Sequence, residues 1–280
     1  MFRIQTSSRQ LPTSNFQLPT SNFPAKPQDI KTLLIDNSNT RTKFALAGEG
    51  ELLPWRQVLP TGDLYPQSID HILPEGIGHA TICSVVPDKA DLLARVLAQR
   101  GIPSHRISSE SQLPVQINYP NPAQIGADRL ANAAAIAPLD DPAIVIDFGT
   151  AVTFDVVSPA GGGTYLGGVI APGLESLRDY LPSRTALLPH IELAEPPSAI
   201  GRSTEHAMLV GAVIGYRGLI REILSSLSAE LAATPSIIST GGDARLIASK
   251  MPEIHRVEPD LTLRGILKID LLNHPPTGMI

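Results

Sequence analysis

The sequence has one cysteine, no excess of positive charge and no long apolar run. Cys83 is the only cysteine among the 280 residues, so it forms no disulfide within the chain, which fits a reducing cytoplasm. Its neighbours are apolar, so we expect a buried structural thiol, with a nucleophile as the alternative. No uninterrupted apolar run approaches the about 20 residues that a membrane-spanning helix needs. The sequence therefore predicts no membrane span.

The charge balance gives no support for a nucleic-acid partner. Lysine and arginine number 22 against 27 acidic residues, for a net charge of −5. Apolar residues make up 42% of the chain, which is typical of globular proteins, and the length suffices for two cores. Four histidines are not spaced as a metal-binding cluster, so we expect no ligand role for them: His79, His105, His190 and His206.

The N-terminal segment differs in kind from the rest. Residues 10–16 read Gln-Leu-Pro-Thr-Ser-Asn-Phe, and residues 17–23 repeat the same seven. Residues 1–28 contain no acid, and few of them are apolar, so we interpret residues 1–30 as a disordered extension or a mis-assigned start. A transit peptide is the alternative. The folded part is then predicted as two halves, residues 31–140 and residues 141–280.

Two stretches repeat one plan, in which an apolar run ends at an acid and continues into small polar residues. Residues 32–36 end at Asp36, followed by Asn, Ser, Asn and Thr; residues 143–147 end at Asp147, followed by Phe, Gly and Thr. Each predicts a buried strand and a tight turn. The backbone N–H groups and hydroxyls of such a turn suit phosphate oxygens, and the acid suits magnesium. A hairpin turn explains either loop alone. Their duplication favours the phosphate-binding interpretation.

Periodicity predicts the same order of elements in both halves. Strands are predicted over residues 33–36, 42–47, 52–59, 80–86, 143–147, 153–157, 165–170 and 236–239. Helices are predicted over residues 69–73, 88–99, 125–137, 174–180, 204–227 and 244–249. A strand hairpin followed by a strand and a helix, found twice, predicts a duplicated α/β architecture. A Thr-Gly-Gly turn at residues 240–242 lies between a predicted strand and a predicted helix. Because glycine has no side chain, such a turn would let a flat ring approach the backbone.

A third motif, Gly126-Ala127-Asp128-Arg129, follows Tyr119 and opens an alanine-rich helix. A carboxylate is favoured at a helix N-terminus and serves as a general base toward a hydroxyl. Arg129 beside it has the geometry to bind a carboxylate through two hydrogen bonds. A plain helix start with adjacent charges is the alternative interpretation.

Seven motifs stand in the order typical of one family. They are Asp-x-x-Asn-Thr, Tyr-Pro, Gly-x-Asp-Arg, Asp-Phe-Gly-Thr, Gly-Gly-x-Ile-x-Pro-Gly, Gly-Arg-Ser-Thr and Thr-Gly-Gly. Over about residues 32–270 the chain resembles the type III pantothenate kinases. The resemblance implies an α/β, duplicated actin-like (ribonuclease H-like) fold, with two similar halves around a nucleotide cleft. It also implies ATP-dependent phosphorylation of pantothenate to 4'-phosphopantothenate, the first step of coenzyme A biosynthesis.

The resemblance also implies roles for individual residues. Asp128 would be the catalytic proton acceptor, Asp147 would hold a monovalent cation (K⁺ or NH₄⁺), and Asp36 would lie near magnesium. The ATP-binding residues would be Asp36, Asn37, Ser38, Asn39, Thr40, Arg41, Thr42, Lys43 and Thr150. Pantothenate would be bound by Tyr119, Gly126, Ala127, Asp128, Arg129 and Thr204.

Two features leave alternatives open. The family loop usually has glycine where this chain has Ser38, and serine adopts a positive φ only at some cost. Ser38 therefore favours the alternative of a non-catalytic, nucleotide-binding regulatory or accessory protein of the same fold. The resemblance further implies a cytoplasmic homodimer with a pocket at its interface. Gly211, Gly215 and Gly218 fit close approach of a second helix, although packing within one subunit also explains them.

Overall fold

The computed structural model describes residues 31–275, and the predicted extension over residues 1–30 lies outside the described residues. The strands are β1 (Lys31–Asn37), β2 (Arg41–Gly48), β3 (Glu51–Pro60), β4 (Ile77–Ser84), β5 (Ser104–Arg106), β6 (Gln116–Ile117), β7 (Ala143–Phe148), β8 (Ala151–Ser158), β9 (Thr164–Pro172), β10 (Ser236–Gly241) and β11 (Arg256–Val257). The α-helices are α1 (Pro66–Ile72), α2 (Pro87–Gln99), α3 (Ala127–Ile136), α4 (Leu174–Arg184), α5 (Thr204–Ala229), α6 (Ala244–Ala248) and α7 (Leu261–Asn273). Within residues 31–275, no helix combines the length and the apolar character that crossing a bilayer requires.

Two sheets repeat one topology. The first has the order β3-β2-β1-β4-β5, in which β1, β2 and β3 are antiparallel neighbours while β4 and β5 run parallel to β1. The second has the order β9-β8-β7-β10-β11 with the same directions, and β6 joins its edge beside β9. Strands β1 and β7 therefore occupy equivalent central positions. This duplication confirms the predicted actin-like fold.

The central strands are apolar on both faces because each sheet is covered on both sides. Along β1, Leu33 and Ile35 pack with helices α1 and α2, whereas Leu34 faces the opposite side and packs with α3 and α7. Along β7, Ile144 and Ile146 pack with α5 and α6. Side chains alternate between the faces of a strand, so these runs contain buried residues at every position.

Helices α3 and α7 pack closely against each other between the two sheets. A Cβ atom built on Gly265 of α7 would lie 1.8 Å from the backbone oxygen of Ala131 of α3, so only glycine permits this approach. Leu263, Ile266 and Ile269 of α7 enter the same core as Leu34. The close contact makes α7 part of the wall between the sheets, although it is the last helix of the described residues.

The predicted strands and helices are all present, with shifts of a few residues at their ends. The helix predicted from residue 125 begins at Ala127, because Pro122–Gln124 forms a 3₁₀ turn and Ile125 is extended. Strands β5, β6 and β11 escaped prediction because they have only two or three residues. Helix α7 also escaped, although its apolar residues recur at helical spacing.

We propose residues 31–140 and residues 141–280 as the two halves. Two elements cross this division. Strand β6 belongs to the first half by sequence, but it pairs with β9 of the second sheet. Helix α7 belongs to the second half by sequence, but it packs against α3 and against β1 of the first sheet. The halves are therefore joined by more than a linker.

We expect Gly265→Ala to lower the free energy of unfolding by about 3 kcal/mol or more, because its methyl group meets rigid backbone rather than a flexible side chain. Chemical denaturation measures the change. Gly62→Ala is the matched control, since a Cβ there meets no atom of the described chain within 4 Å. Equal stability of the two variants would contradict the packing described for α3 and α7.

Candidate active site

The loops that follow β1 and β7 face each other across a cleft. The hydroxyls of Thr40 and Thr150 lie 2.7 Å apart and share a hydrogen bond between the two loops. A cavity of about 310 Å³ opens at this point. It is lined by Asp36, Ser38, Thr40, Arg41, Lys43, Asp147, Phe148, Gly149, Thr150, Glu175, Gly241, Gly242, Asp243 and Pro259. The three loops singled out in the sequence thus meet at one cavity.

The predicted phosphate loop divides into residues that line the cavity and residues that support it. Asn37 and Thr42 are buried and do not line the cavity. The side-chain amide of Asn37 donates to the Thr42 hydroxyl at 2.7 Å, and Ser84 donates to the Asn37 oxygen at 2.6 Å. These bonds fix the turn. Asn39 is exposed at its tip and is also absent from the lining.

Ser38 occupies its position without backbone strain. Among residues 31–275, Glu49 is the single non-glycine residue with a positive φ, so Ser38 lies in an ordinary region. Its hydroxyl donates to Oδ1 of Asp36 at 3.2 Å. The serine therefore adds a hydrogen bond to the loop and does not distort it.

The cleft concentrates acidic side chains around one lysine. Lys43 lies opposite Asp36 on the neighbouring strand, with its Nζ 3.2 Å from Oδ2 of Asp36. Burial lowers the pKa of Lys43, but Asp36 and Asp147 more than offset this, and the pKa is raised. Burial and the charge of Asp36 raise the pKa of Asp147 to about 6. Asn132 donates to Asp147 at 3.3 Å.

The donor set at this end of the cleft fits a hard cation. Asp36 and Asp147 present carboxylate oxygens, and Thr150 presents a hydroxyl, which are ligands that Mg²⁺ and K⁺ prefer over imidazole or thiolate. Burial, and after it the repulsion between Asp147 and Asp36, raises the pKa of Asp147. A bound cation would relieve this repulsion.

Asp128 opens helix α3, and its conformation depends on Gly126. The backbone N–H of Arg129 donates to Oδ1 of Asp128 at 2.8 Å. A Cβ on Gly126 would lie 2.4 Å from the same oxygen, so a larger residue there would displace the carboxylate. Burial raises the pKa of Asp128, and the nearby charge of Asp36 adds to this effect. The carboxyl group is therefore a better proton acceptor than an exposed aspartate.

Arg129 belongs to a buried polar cluster that sequence reasoning did not find. Its Nε donates to Oδ1 of Asp155 at 2.7 Å, and the hydroxyl of Tyr165 donates to the same oxygen at 3.2 Å. Burial raises the pKa of Asp155 to about 7 even though Arg129 opposes the shift. Nη2 of Arg129 is buried without a hydrogen-bond partner within the described chain. This nitrogen needs an acceptor that a ligand would provide.

Tyr119 lies beside this cluster. Its ring is 6.3 Å from that of Tyr165, and a Cβ on Gly167 would approach it to 3.2 Å. Arg129 lies 5.7 Å from the Tyr165 ring. Tyr119 and Arg129, which were predicted to share a substrate, are thus connected through one aromatic ring. Ala127 contributes through packing, since it is buried in the core between the sheets.

Thr204 lies apart from these residues within one chain. It is the first residue of α5 and lines a second, mainly apolar cavity with Leu177, Tyr180 and Leu181 of α4. None of the predicted substrate-binding residues other than Thr204 lines that cavity.

Cys83 is buried beneath the cleft, beside Asp36 on the neighbouring strand. Burial and the nearby carboxylates raise its pKa well above the usual value, so the thiol stays protonated. The environment matches the predicted structural thiol.

Comparison with known proteins adds the family to this geometry. A model of the type III pantothenate kinase family matches residues 32–226. The type III pantothenate kinase of Akkermansia muciniphila is 52% identical over 237 residues, which cover 84% of this chain and 96% of that protein. The chain belongs to the type III pantothenate kinase family.

Other relatives agree with this membership. The type III pantothenate kinase of Methylacidiphilum infernorum is 40% identical over 238 residues, covering 84% of this chain and 86% of that protein. Among solved structures, a putative Baf family transcriptional activator from Campylobacter jejuni has a TM-score of 0.57 at 20% identity, covering 85% of this chain and 96% of that one. The last likeness shows a shared fold.

Sequence reasoning did not identify several residues that lie in or near the cleft of this member of the pantothenate kinase family. Asp155 and Tyr165 are fully buried polar groups in strands, and a single acid within an apolar strand was the available signal for Asp155. Asn132 is a fully buried amide in an alanine-rich helix, which is itself an unusual placement. Glu175 and Asp243 reach the cavity from helix starts that only the fold brings together.

Proposed function

We propose that this chain transfers the γ-phosphoryl group of ATP to the terminal hydroxyl of pantothenate, giving 4'-phosphopantothenate and ADP, the first step of coenzyme A biosynthesis. The placement of Asp128 carries the proposal. Its carboxylate is close enough to Asp36 for that charge to raise its pKa, and Arg129 beside it points into the Asp155 cluster. In support of the proposal, Asp128 lies within electrostatic range of the phosphate loop and next in sequence to an arginine whose buried Nη2 has no hydrogen-bond partner within the described chain.

The residues of the cleft divide the binding of ATP between them. Ser38, Thr40 and Thr150 present hydroxyls to phosphate oxygens, and Lys43 and Arg41 supply positive charge. Gly241 and Gly242 line the same cavity and leave room for the flat base. The kinase family implies ATP with Mg²⁺, which would neutralise charge on the phosphates when bound beside Asp36.

Asp128 accepts the proton of the substrate hydroxyl as the hydroxyl oxygen bonds to the γ-phosphorus. The bond from that phosphorus to the bridging oxygen of ADP breaks, and the electron pair leaves with ADP. Lys43 and the loop hydroxyls stabilise the charge that spreads over the equatorial oxygens.

Arg129 selects for the carboxylate of pantothenate. Asp155 and Tyr165 hold its guanidinium in place, and its buried Nη2 lacks an acceptor within the described chain. A substrate carboxylate satisfies that nitrogen and balances the charge of the guanidinium. Tyr119 packs along the pantothenate chain beside it.

The alternative of a non-catalytic nucleotide-binding protein has less support. It rested on Ser38, whose backbone is unstrained and whose hydroxyl bonds Asp36. A protein that only binds nucleotide needs no buried acid at the position of Asp128 and no unpaired arginine nitrogen beyond it. Both features favour catalysis.

The active unit that we propose is a homodimer formed through one face of α5. Thr204, Gly211, Ile214, Gly215 and Gly218 recur at helical spacing and are all exposed. A Cβ on any of the three glycines would meet nothing within 4 Å among the described residues, so packing within the subunit does not explain them. A partner subunit related by a two-fold axis would cover this face and bring Thr204 toward the substrate pocket.

Asp128→Asn should lower the turnover rate by about 10²–10⁴-fold, or about 3–5 kcal/mol of barrier, because the amide accepts no proton at neutral pH. Affinity for ATP should change little. Coupled assays of ADP release and nucleotide titration measure the two effects. Asp88→Asn, at the first turn of α2, is the matched control outside the cleft. An Asp128→Asn variant with more than half of the normal rate would exclude the proton-acceptor role.

Activity should depend on a monovalent cation bound at Asp147. Replacing K⁺ by a bulky organic cation at equal ionic strength should abolish turnover, since the carboxylate then faces the polyphosphate without a counterion. Because the pKa of Asp147 is raised to about 6, the carboxylate is ionised above this pH, and less K⁺ should be needed at pH values above about 6 than below. The K⁺ concentration for half-maximal activity, measured at pH values below and above 6, tests the direction of this pH dependence.

Asp147→Asn should remove the response to K⁺, whereas Asp141→Asn, an exposed neighbour just before β7, should leave it unchanged. A response that survives in Asp147→Asn would place the cation elsewhere.

Sedimentation should show a species of about twice 29.8 kDa. Gly215→Leu should shift it toward the monomer and lower activity with it, because the new side chain fills the space that a second helix needs. Gly62→Leu, a glycine with open space in the first half, is the control. A monomer with full activity at assay concentration would contradict both the dimer and the shared pocket.

A further inference from the structure

A cluster of imidazoles surrounds one buried carboxylate far from the cleft. His79 of β4, Asp270 of α7 and His274 just after α7 each offer a ligand atom, and these atoms all lie within 4.8 Å of one another. The cluster lies at the opposite end of the first sheet from the phosphate loop. His79 precedes Cys83, the strand neighbour of Asp36, by four residues, or about 13 Å along β4.

Two of the three spacings between the ligand atoms are close to those of a tetrahedral metal site, and all three atoms lie within 4.8 Å of one another. Nε2 of His79 lies 2.8 Å from Oδ1 of Asp270, and Nδ1 of His274 lies 3.4 Å from the same oxygen. Ligands about 2.0–2.1 Å from a tetrahedral Zn²⁺ are about 3.3 Å apart, so the observed distances fall on either side of that spacing. Asp270 lies in the last turn of α7, and His274 follows the end of the helix, where its backbone N–H donates to the carbonyl oxygen of Asp270 at 2.7 Å.

The carboxylate at the centre of the cluster is fixed before any ion binds. The side chain of Asp270 is 2% exposed, and the Thr81 hydroxyl donates to its Oδ1 at 2.6 Å. The helix end is fastened next to it, since the Asn273 side chain bonds the backbone of Gln112 in both directions, at 3.0 and 2.9 Å. These bonds leave the imidazole rings as the adjustable part of the site.

A third imidazole borders the cluster. The ring centroid of His105 lies 5.5 Å from that of His274, and Nε2 of His105 is 3.0 Å from the Ser111 hydroxyl. The spacing of His79 and His105 in the sequence predicted no ligand role, because Asp270 and His274, which complete the cluster, lie more than 150 residues further along the chain.

We propose that His79, Asp270 and His274 bind one divalent transition-metal ion of the Zn²⁺ class, with a fourth position open to water. Two imidazole nitrogens and one carboxylate oxygen suit Zn²⁺ and exclude Mg²⁺, which prefers oxygen ligands. Binding replaces protons on the imidazoles, which are released to solvent, so the affinity falls as the solution is acidified. The ion joins β4 of the first sheet to the last turn of α7.

The position of the site suggests its consequence. At the other end of α7, Thr262 donates to Asn132 at 2.9 Å, and Asn132 donates to Asp147 at 3.3 Å. Thr262 and Asp270 are eight residues apart, or about 12 Å along the helix. An ion at the histidine cluster would therefore fix the helix that orients a cleft residue, and its principal effect would be on stability.

The test uses the full chain, without an affinity tag and stripped of metal by a chelator. Zn²⁺ is titrated in competition with a chromogenic chelator, Co²⁺ is added separately for its visible absorption, and thermal unfolding is followed with and without Zn²⁺. We expect one ion per chain, a tetrahedral-type Co²⁺ spectrum, and a Tm raised by about 5 °C at a hundredfold excess over the Kd.

His274→Ala should weaken Zn²⁺ binding by at least about tenfold and remove the Co²⁺ spectrum, because it deletes a ligand at the exposed end of α7. His71→Ala, an exposed histidine on α1, is the control and should bind like the unaltered chain. If His274→Ala fails to fold, the second variant is Asp270→Asn, which keeps the shape of the carboxyl group and should also weaken Zn²⁺ binding.

Absence of stoichiometric binding at micromolar Zn²⁺ would overturn the proposal. The cluster would then be explained by histidine–carboxylate hydrogen bonds without a metal ion. Equal affinity in His274→Ala and His71→Ala would overturn it as well. Kinase activity with K⁺ and Mg²⁺ is measured on the same samples, so that failure of the metal site is distinguished from failure of the proposed function.

Discussion

The burial of carboxylates at the ends of the central strands, together with their mutual repulsion, is the constraint on which the rest of this structure depends. Burial raises the pKa of Asp128 and of Asp147, and the charge of Asp36 adds to both shifts. Asp155 behind them has a pKa raised to about 7 despite its contact with Arg129. Since these values exceed those of an unfolded chain, ionisation of the acids lowers the free energy of unfolding as the pH rises toward 7. A cation bound among these carboxylates would offset the cost of burying them, so the energetic cost of burial and an affinity for cations would have one source.

The local parts of this arrangement could be predicted from the sequence. A strand that ends at an acid and is followed by small polar turn residues can be recognised from the local sequence alone. The loops at Asp36 and Asp147 were therefore correctly predicted to follow buried strands. The supporting groups could not be predicted in this way. Asp155 contacts Arg129 across 26 residues, and Thr262 contacts Asn132 across 130, so neither pair has a signature within one window. The residues that we propose contact the ligand could be identified from the sequence, whereas the residues that orient them could be identified only from the fold.

Ser38 shows how a sequence argument fails when the backbone is assumed. A glycine replaced by serine implies strain only if the position requires a positive φ, and here it does not. The fold does require glycine at positions where another atom of the chain lies so close that a Cβ atom would not fit. Gly126 leaves room for the Asp128 carboxylate, and Gly265 lets α7 lie against α3. None of these requirements follows from residue type alone, because each depends on an atom supplied by another turn or another helix.

Helix α7 links the two halves more directly than any other element of the described chain. It follows the second sheet in sequence, but it packs on α3 and on the first sheet, and its two ends serve different networks. Thr262 at its start supports Asn132 and through it Asp147, whereas Asp270 at its end anchors the histidine cluster. One helix thus carries a contact that reaches Asp147 through Asn132 at its start and the central carboxylate of the histidine cluster at its end, so its two ends are held by groups that lie far apart in the sequence.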